Sequence, residues 1–466
     1  MRGIAGPSAD ARRPQYDIEA HGAPPWMHLI EGRRPLVLLV DDTQLFEIEP
    51  DFARDLRAED PVALAELSER RRTGPPLLRD GAPPSPLSIS LNVVQACNLS
   101  CHYCYADEGR FHGGARRMQT PVAFAAIDRL LAGADGRRVT IGFIGGEPFL
   151  NRGLVHECVA YARDRGAAMG VQVAFSVTTN GTLLRDDDLA LLRDNAFAVS
   201  VSLDGAAAIH DRHRKQHDGR GSHAAALAAM APLLADPGKA RVSARATVTR
   251  DDLRVAERIA PLIDAGFLEV GVSPARTGPN ADLLLRGEDW GSYLNEMIRA
   301  ARHEFEAYRR RGGGALRFSN LGIALKEIHR GAARSLPCGA GGAYVSVSAE
   351  GAYYTCHRTI GHRAPSRSAI LSTARRTRCA KPSCRNDGSM IRTRAAPAGR
   401  AISAAVAAMR KWRSPAATVA TSFEAGSTFV SRPIMRRATN FLNCFQKGRS
   451  NDEQDHCAQS HRSRRL

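Results

Sequence analysis

The sequence predicts an α/β chain organised around a partial (β/α)6 TIM-like barrel. Strand-like apolar runs occur at 87–95, 138–144, 171–178, 197–203, 241–249 and 268–273. Helical patterns lie between them, at Pro121–Gly133, Leu154–Met169, Asp187–Asp194, His223–Ala235 and Val255–Ala265. Strands that alternate with helices pair in parallel, and six such units curl the sheet. Gly, Asn, Ser and acidic residues also gather just past the strands, where parallel folds place their chemistry.

Taken in order, residues 1–25 are polar, Pro/Gly-rich and expected to be disordered. A small α+β region follows at 26–72. In it Leu29-Ile30 and Leu36–Val40 read as strands joined by Glu31-Gly32-Arg33-Arg34, and then come Leu45–Ile48 and a charged helix. Residues 73–86 carry Gly-Pro-Pro and Ala-Pro-Pro-Ser-Pro and read as a linker. The barrel is expected over 87–310, a short module over 330–361, and a change of character from 362 to 466.

At 466 residues and 43% hydrophobic content the chain can bury two or three cores. No apolar run approaches the roughly 18 residues of a membrane span, and the N-terminus lacks a signal peptide's apolar stretch. A cytoplasmic location and no membrane partner are expected. Ten cysteines in such a chain favour metal or cluster ligation over disulfides. The net charge of +17 sits in one place: of 65 basic and 48 acidic residues, 21 and 5 fall in 362–466, leaving 44 and 43 elsewhere. A uniformly basic surface is excluded, and no nucleic-acid partner is expected.

The densest chemical signal is Cys97, Cys101 and Cys104, a C-x3-C-x2-C triplet opening a loop after the first strand. Three thiolates can hold three irons of a [4Fe-4S] cube and leave the fourth open to a substrate or cofactor. The alternative, a structural zinc site, needs a second ligand pair, and none is near in sequence. Cys158 lies on an amphipathic helix and reads as core.

This triplet, with aromatic Tyr103 before its last cysteine, resembles the radical S-adenosylmethionine (SAM) enzymes. The resemblance implies a [4Fe-4S] cluster whose open iron chelates SAM, and an electron that cleaves SAM to a 5'-deoxyadenosyl radical. Gly145-Gly146-Glu147-Pro148 at the second strand end resembles the family's GGEP segment, implying that Glu147 meets the SAM ammonium. Asn180 at the end of the third strand, and Ser202 and Asp204 at the end of the fourth, resemble segments lining the SAM pocket. Asp204 is also a candidate proton acceptor near substrate. Arg245 and Gly271-Val272-Ser273-Pro274 are placed as further SAM contacts. His210-Asp211-Arg212-His213-Arg214 resembles the HDxxR segment of the peptide-maturase branch; an Asp–Arg ion pair at a helix end is the plain alternative. Region 26–72 resembles the winged-helix-like leader-peptide-binding module of such maturases, or is a β-extension of the main domain.

Cys338 and Cys356 stand as C-x12-G-x4-C, which resembles the start of a SPASM domain and implies auxiliary [4Fe-4S] ligands. The remaining SPASM cysteines do not follow. Instead the chain turns Arg/Ala/Ser-rich near His362 and loses periodicity, as a disordered basic tail would. A shifted reading frame is the sharper expectation: the third base of each codon, joined to the next two, permits C-x-x-C-W-A-R-Y-I-C-G-G-C from Arg394 to Ala407. The SPASM half is then truncated by a frame slip near 362–368, Cys379, Cys384, Cys444 and Cys457 are accidental, and residues beyond 440 are read past a natural stop. Within the family, Phe318-Ser319-Asn320, Pro337–Gly341 and Cys356-His357-Arg358 most resemble cross-linking maturases such as the quinohemoprotein amine dehydrogenase maturation proteins. The partners so implied are a peptide or small protein substrate and an external electron donor of flavodoxin or ferredoxin type. An anaerobic sulfatase maturase forming formylglycine, or an inert peptide-binding scaffold, are the other readings.

Overall fold

The computed structural model describes residues 24, 26–30, 34–40, 43–70, 85–330 and 338–361. The expectations for 1–25, for the linker 73–86 and for the tail 362–466 fall almost wholly outside them.

An N-terminal unit comes first: β1 (Met27–Ile30), β2 (Leu36–Leu39) and β3 (Gln44–Glu47) form an antiparallel sheet in that order. Helices α1 (Pro50–Arg57) and α2 (Pro61–Glu69) follow. Asp60 caps α2 by accepting from the amides of Val62 and Ala63, and Pro61 at the first helical position needs no amide partner. Met27, Val37, Leu39, Leu56, Ala63 and Leu67 form this unit's own small core.

The main body runs β4 (Ser88–Val94), β5 (Leu99–Cys101), α3 (Thr120–Ala132), β6 (Val139–Gly145), α4 (Arg152–Ala168), β7 (Val173–Thr179), α5 (Asp186–Asp194) and β8 (Phe197–Ser202). It continues through α6 (Ala207–His213), β9 (Arg214–Gln216), α7 (His223–Ala235), β10 (Arg241–Val248), α8 (Ala256–Asp264), β11 (Glu269–Pro274), α9 (Asp289–Arg310) and α10 (Ser319–Arg330). Strands β4, β6, β7, β8, β10 and β11 lie side by side in chain order, all parallel. Each helical crossover therefore adds its strand to the same edge, the order that right-handed βαβ units produce in a partial barrel. The six expected strands each lie within two residues of these spans.

Alternation divides each strand between two faces. On β4, Ile89, Leu91 and Val93 join Ile127, Leu130 and Val155 in the core beneath the helices, while Ser90 and Asn92 face the other way. Cys158 is fully buried in this core, as its helical pattern indicated.

Two features were not legible in sequence. Strands β5 and β9 form a separate antiparallel ribbon that ties the cysteine loop to the end of α6. Beyond α10, β12 (Tyr344–Val347) pairs in parallel with β4 on the edge away from β6, and β13 (Tyr353–Tyr354) closes a hairpin on it. Among the described residues the sheet thus has eight strands, with Ser90 bonded to Tyr344 and Ser346 across the new seam.

Candidate active site

The cysteine loop leaves the C-terminal end of β4, and the loop after β6 is pressed against it. A side chain at Gly145 would strike the Val94 carbonyl, and one at Gly146 would strike that of Ala96. Backbone bonds from Gly146 to Val94 (3.0 Å) and from Glu147 to Ala96 (2.9 Å) use this contact. The glycines therefore serve a backbone-to-backbone approach.

Glu147 is fully buried, its carboxylate accepting from Thr179 Oγ1 (2.7 Å), the Asn180 amide (2.7 Å) and the Phe149 amide (3.2 Å). Burial nevertheless pushes its carboxyl up to about 7, which the three donors oppose. A carboxylate has about four lone-pair sites, so one remains for a further donor. Asn180 turns its amide to Asn98 (2.9 Å) and toward the Cys97 sulfur (3.8 Å), and its oxygen accepts from Thr182.

Cys97, Cys101 and Cys104 are each half-buried. Burial, then the Glu147 charge, pushes Cys97 up to about 12, and burial pushes Cys101 up to about 11. Left alone Cys97 and Cys101 stay protonated, and a bound metal would deprotonate them. Three soft sulfur donors, with the Leu99 amide 3.4 Å from the Cys97 sulfur, suit an iron–sulfur group. Both side-chain polar atoms of fully buried Asn92, and the Gln95 oxygen nearby in sequence, lack partners among the described residues. Unpaired buried amides at this strand end suit a site that binds a polar ligand.

Tyr103 is buried and donates a short hydrogen bond to Asp204, while its oxygen accepts from Arg214 Nη1 (3.1 Å). The other Asp204 oxygen accepts from the Thr247 amide (2.8 Å). Each carboxylate oxygen thus has one donor fixed on it, which sets the orientation of Asp204 and leaves about two of its four lone-pair sites. Buried Arg258 holds the Asp204 carbonyl (3.0 Å) beneath this turn. Ser202 stands in register with Arg245, whose guanidinium lies over Gly271 and bonds Ser319 (2.8 Å), with Glu269 at 3.5 Å.

The helix-end ion pair considered for Asp211 and Arg214 does not form. Asp211 instead accepts from the amides of Ser222 (2.8 Å) and His223 (2.9 Å) at the start of α7. His210 accepts from the Asp204 amide (3.3 Å) and meets Ser222 Oγ (2.9 Å), which donates to the Arg214 carbonyl (2.8 Å). Burial, then the nearby charges of Arg214 and His223, lowers His210 to about 2, so it is neutral. This segment fastens the turn after β8 to the start of α7, a role that its spacing did not reveal.

Cys338 is exposed and Cys356 half-buried, close enough for the Cys338 charge to raise Cys356 further after burial has done so. The segment after Cys356 lies between β12 and the chain that follows the cysteine triplet: His357 Nδ1 meets Tyr344 of β12 (3.0 Å), and Gly361 packs on Phe111. No helix among the described residues is long and apolar enough to cross a membrane.

The sequence profile of the Radical SAM superfamily matches residues 91–235. A serine-type anaerobic sulfatase-maturating enzyme of Klebsiella aerogenes is 30% identical over 167 residues, 35% of this chain and 41% of the relative. A cysteine-type counterpart from Clostridium perfringens (strain 13 / Type A) is 31% identical over 134 residues, 28% of this chain and 36% of the relative. The chain thus spans about two fifths of the length of these curated relatives. In structure, native anSMEcpe with bound AdoMet and Cp18Cys peptide superposes with a TM-score of 0.50 at 21% identity, covering 59% of this chain and 75% of that one, which is a likeness of fold.

Proposed function

Given that the chain carries a radical SAM domain over residues 91–235, a family that uses a [4Fe-4S] cluster and SAM, we propose that it is a maturase modifying a peptide or small protein. In this reading Cys97, Cys101 and Cys104 ligate three irons. Glu147 offers its remaining lone pair to the SAM ammonium, Asn180, Ser202 and Arg245 border the cofactor, and Tyr103 and Asp204 hold the cysteine loop against the tip of β8. Bound together, cluster and SAM supply a hydrogen-abstracting deoxyadenosyl group when an external donor of flavodoxin or ferredoxin type delivers an electron.

The observation that carries the maturase reading is the extension of the barrel by β12 and β13, which brings Cys356 and Arg358 onto the cysteine loop. Cys338 and Cys356 are read as auxiliary-cluster ligands; the further ligands such a cluster needs fall outside the described residues. In the N-terminal unit β1 and β3 are sheet edges, each able to pair with an extended leader peptide.

The reaction proposed is a cross-link from a Cys sulfur to an unactivated carbon. Formylglycine formation on a sulfatase is the second reading, favoured by what the sulfatase-maturating relatives are named for. Anaerobic incubation with SAM and reductant of two synthetic peptides, one Cys-rich and one carrying a sulfatase's modified segment, tests both. A cross-linked product loses two hydrogens and a thiol that can be alkylated, whereas formylglycine reacts with a hydrazide. Absence of 5'-deoxyadenosine from loaded protein would sink both readings and leave an inert scaffold.

A further inference from the structure

Arg214 begins β9, directly across the ladder from Cys101 on β5. Directly opposed residues of an antiparallel pair send their side chains to the same face, roughly 5 Å apart at Cβ. The Arg214 side chain accordingly lies against the cysteine loop. It is 8% exposed, donates to Tyr103 Oη at 3.1 Å, and leaves its Nε without a hydrogen-bond partner. No carboxylate stands within ion-pair distance of it among the described residues; the Tyr103 hydroxyl separates it from Asp204. A guanidinium that stays charged, is deeply buried and lacks a direct counter-ion is expensive unless a negative group sits nearby.

We propose that Arg214 is a positioning residue that places a buried positive charge beside the cysteine triplet, so favouring the reduced state of the iron–sulfur group those cysteines would hold. The inference rests on reading Cys97, Cys101 and Cys104 as cluster ligands. Reduction adds one electron, from an external one-electron donor, and makes the thiolate-bound group one unit more negative without forming or breaking a bond at Arg214. A fixed cation nearby stabilises that product more than the oxidised group, and burial weakens the screening that would mask it. The ribbon supplies the rigidity, since the backbone opposite Cys101, the bond to Tyr103 and the Ser222–Arg214 bond hold the guanidinium in place.

The experiment is a potentiometric titration of the anaerobically reconstituted full chain, followed by electron paramagnetic resonance, for wild type, Arg214→Gln, Arg214→Lys, Tyr103→Phe and Asp204→Asn. Arg214→Gln is expected to load as much iron as wild type yet reduce with a constant at least tenfold smaller, about 59 mV more negative for one electron. Arg214→Lys should stay near wild type. Tyr103→Phe should shift far less than Arg214→Gln, and Asp204→Asn should shift to more positive potential as a neighbouring negative charge is removed. A loaded Arg214→Gln at the wild-type potential overturns the inference. So does an Arg214→Lys shift equal to that of Arg214→Gln, which would assign the effect to side-chain shape and not to charge. Should Arg214→Gln fail to load, Asp204→Asn decides: a positive shift supports the inference and an unshifted potential overturns it. Wild type that takes up no iron would sink the cluster reading itself, and this inference with it.

Discussion

Arg358 holds its guanidinium 4.1 Å above the ring of Tyr105, the residue that follows Cys104. His357 tilts against the same ring at 6.0 Å. The stretch after Cys356 is therefore joined to the cysteine loop across about 250 residues of chain, and the contact is itself a target for mutation.

Replacing Arg358 by Ala should cost about 0.5–1 kcal/mol, the range for a cation–π contact at an exposed site. Chemical denaturation of the metal-free protein measures it. The same change in a Tyr105→Leu background should cost measurably less, and equal costs in both backgrounds would show that the ring is not the partner.

Gly146→Ala should be far more damaging than its one added methyl suggests. The new Cβ meets the Ala96 carbonyl and the Cys97 amide (2.8 Å), both backbone atoms that cannot rotate away. A loss of about 1–3 kcal/mol is expected, together with poor iron uptake as the loop is pushed off. Gly153→Ala in α4 meets nothing within 4 Å and should gain about 0.5–1 kcal/mol. Iron content and denaturation midpoints of the pair check the contrast.

His210 sets a pH dependence with a definite sign. Its folded value near 2 lies below the ordinary 6.5, so only the unfolded chain takes up a proton as pH falls below 6.5. Stability from this residue is present above 6.5 and declines on acidification, by about 2 kcal/mol between pH 7.5 and 5. His210→Asn, whose amide oxygen can still accept from the Asp204 amide, should remove that share of the slope. Urea midpoints across this range read the difference, and parallel slopes would refute it.

Resequencing the gene from the codon for Cys356 to that for Asn440 should reveal a one-base difference restoring a C-x-x-C-W-A-R-Y stretch. A confirmed frame would remove the case for auxiliary clusters, and iron per chain should then stop at that of a single [4Fe-4S] group.

The parallel sheet was legible because each strand is a long apolar run flanked by helical periodicity, so the pattern carries both element and order. The cysteine triplet and Gly145-Gly146-Glu147 were legible because their spacing is local. Strands β5 and β9 span three residues each, too short for any period to register. The meeting of Tyr103, Asp204 and Arg214 joins residues about a hundred positions apart, and nothing in the spacing of His210–Arg214 says that its arginine turns toward Tyr103 rather than Asp211. Arg245 was legible as a charged residue within the fifth strand, whereas the reason position 271 is glycine, to seat that guanidinium, needed the fold.

The pairing of Ser88 with Tyr344 has a consequence for synthesis. Strand β4 leaves the ribosome first among the barrel strands, and β6 can cover one of its edges some fifty residues later. Its other edge waits for a partner more than 250 residues downstream, roughly 13–50 s at ordinary elongation rates. Through that interval an apolar strand shows open backbone groups, the condition under which nascent chains pair with the wrong neighbour. Newly made chains should therefore depend on a chaperone until residues 344–347 have emerged.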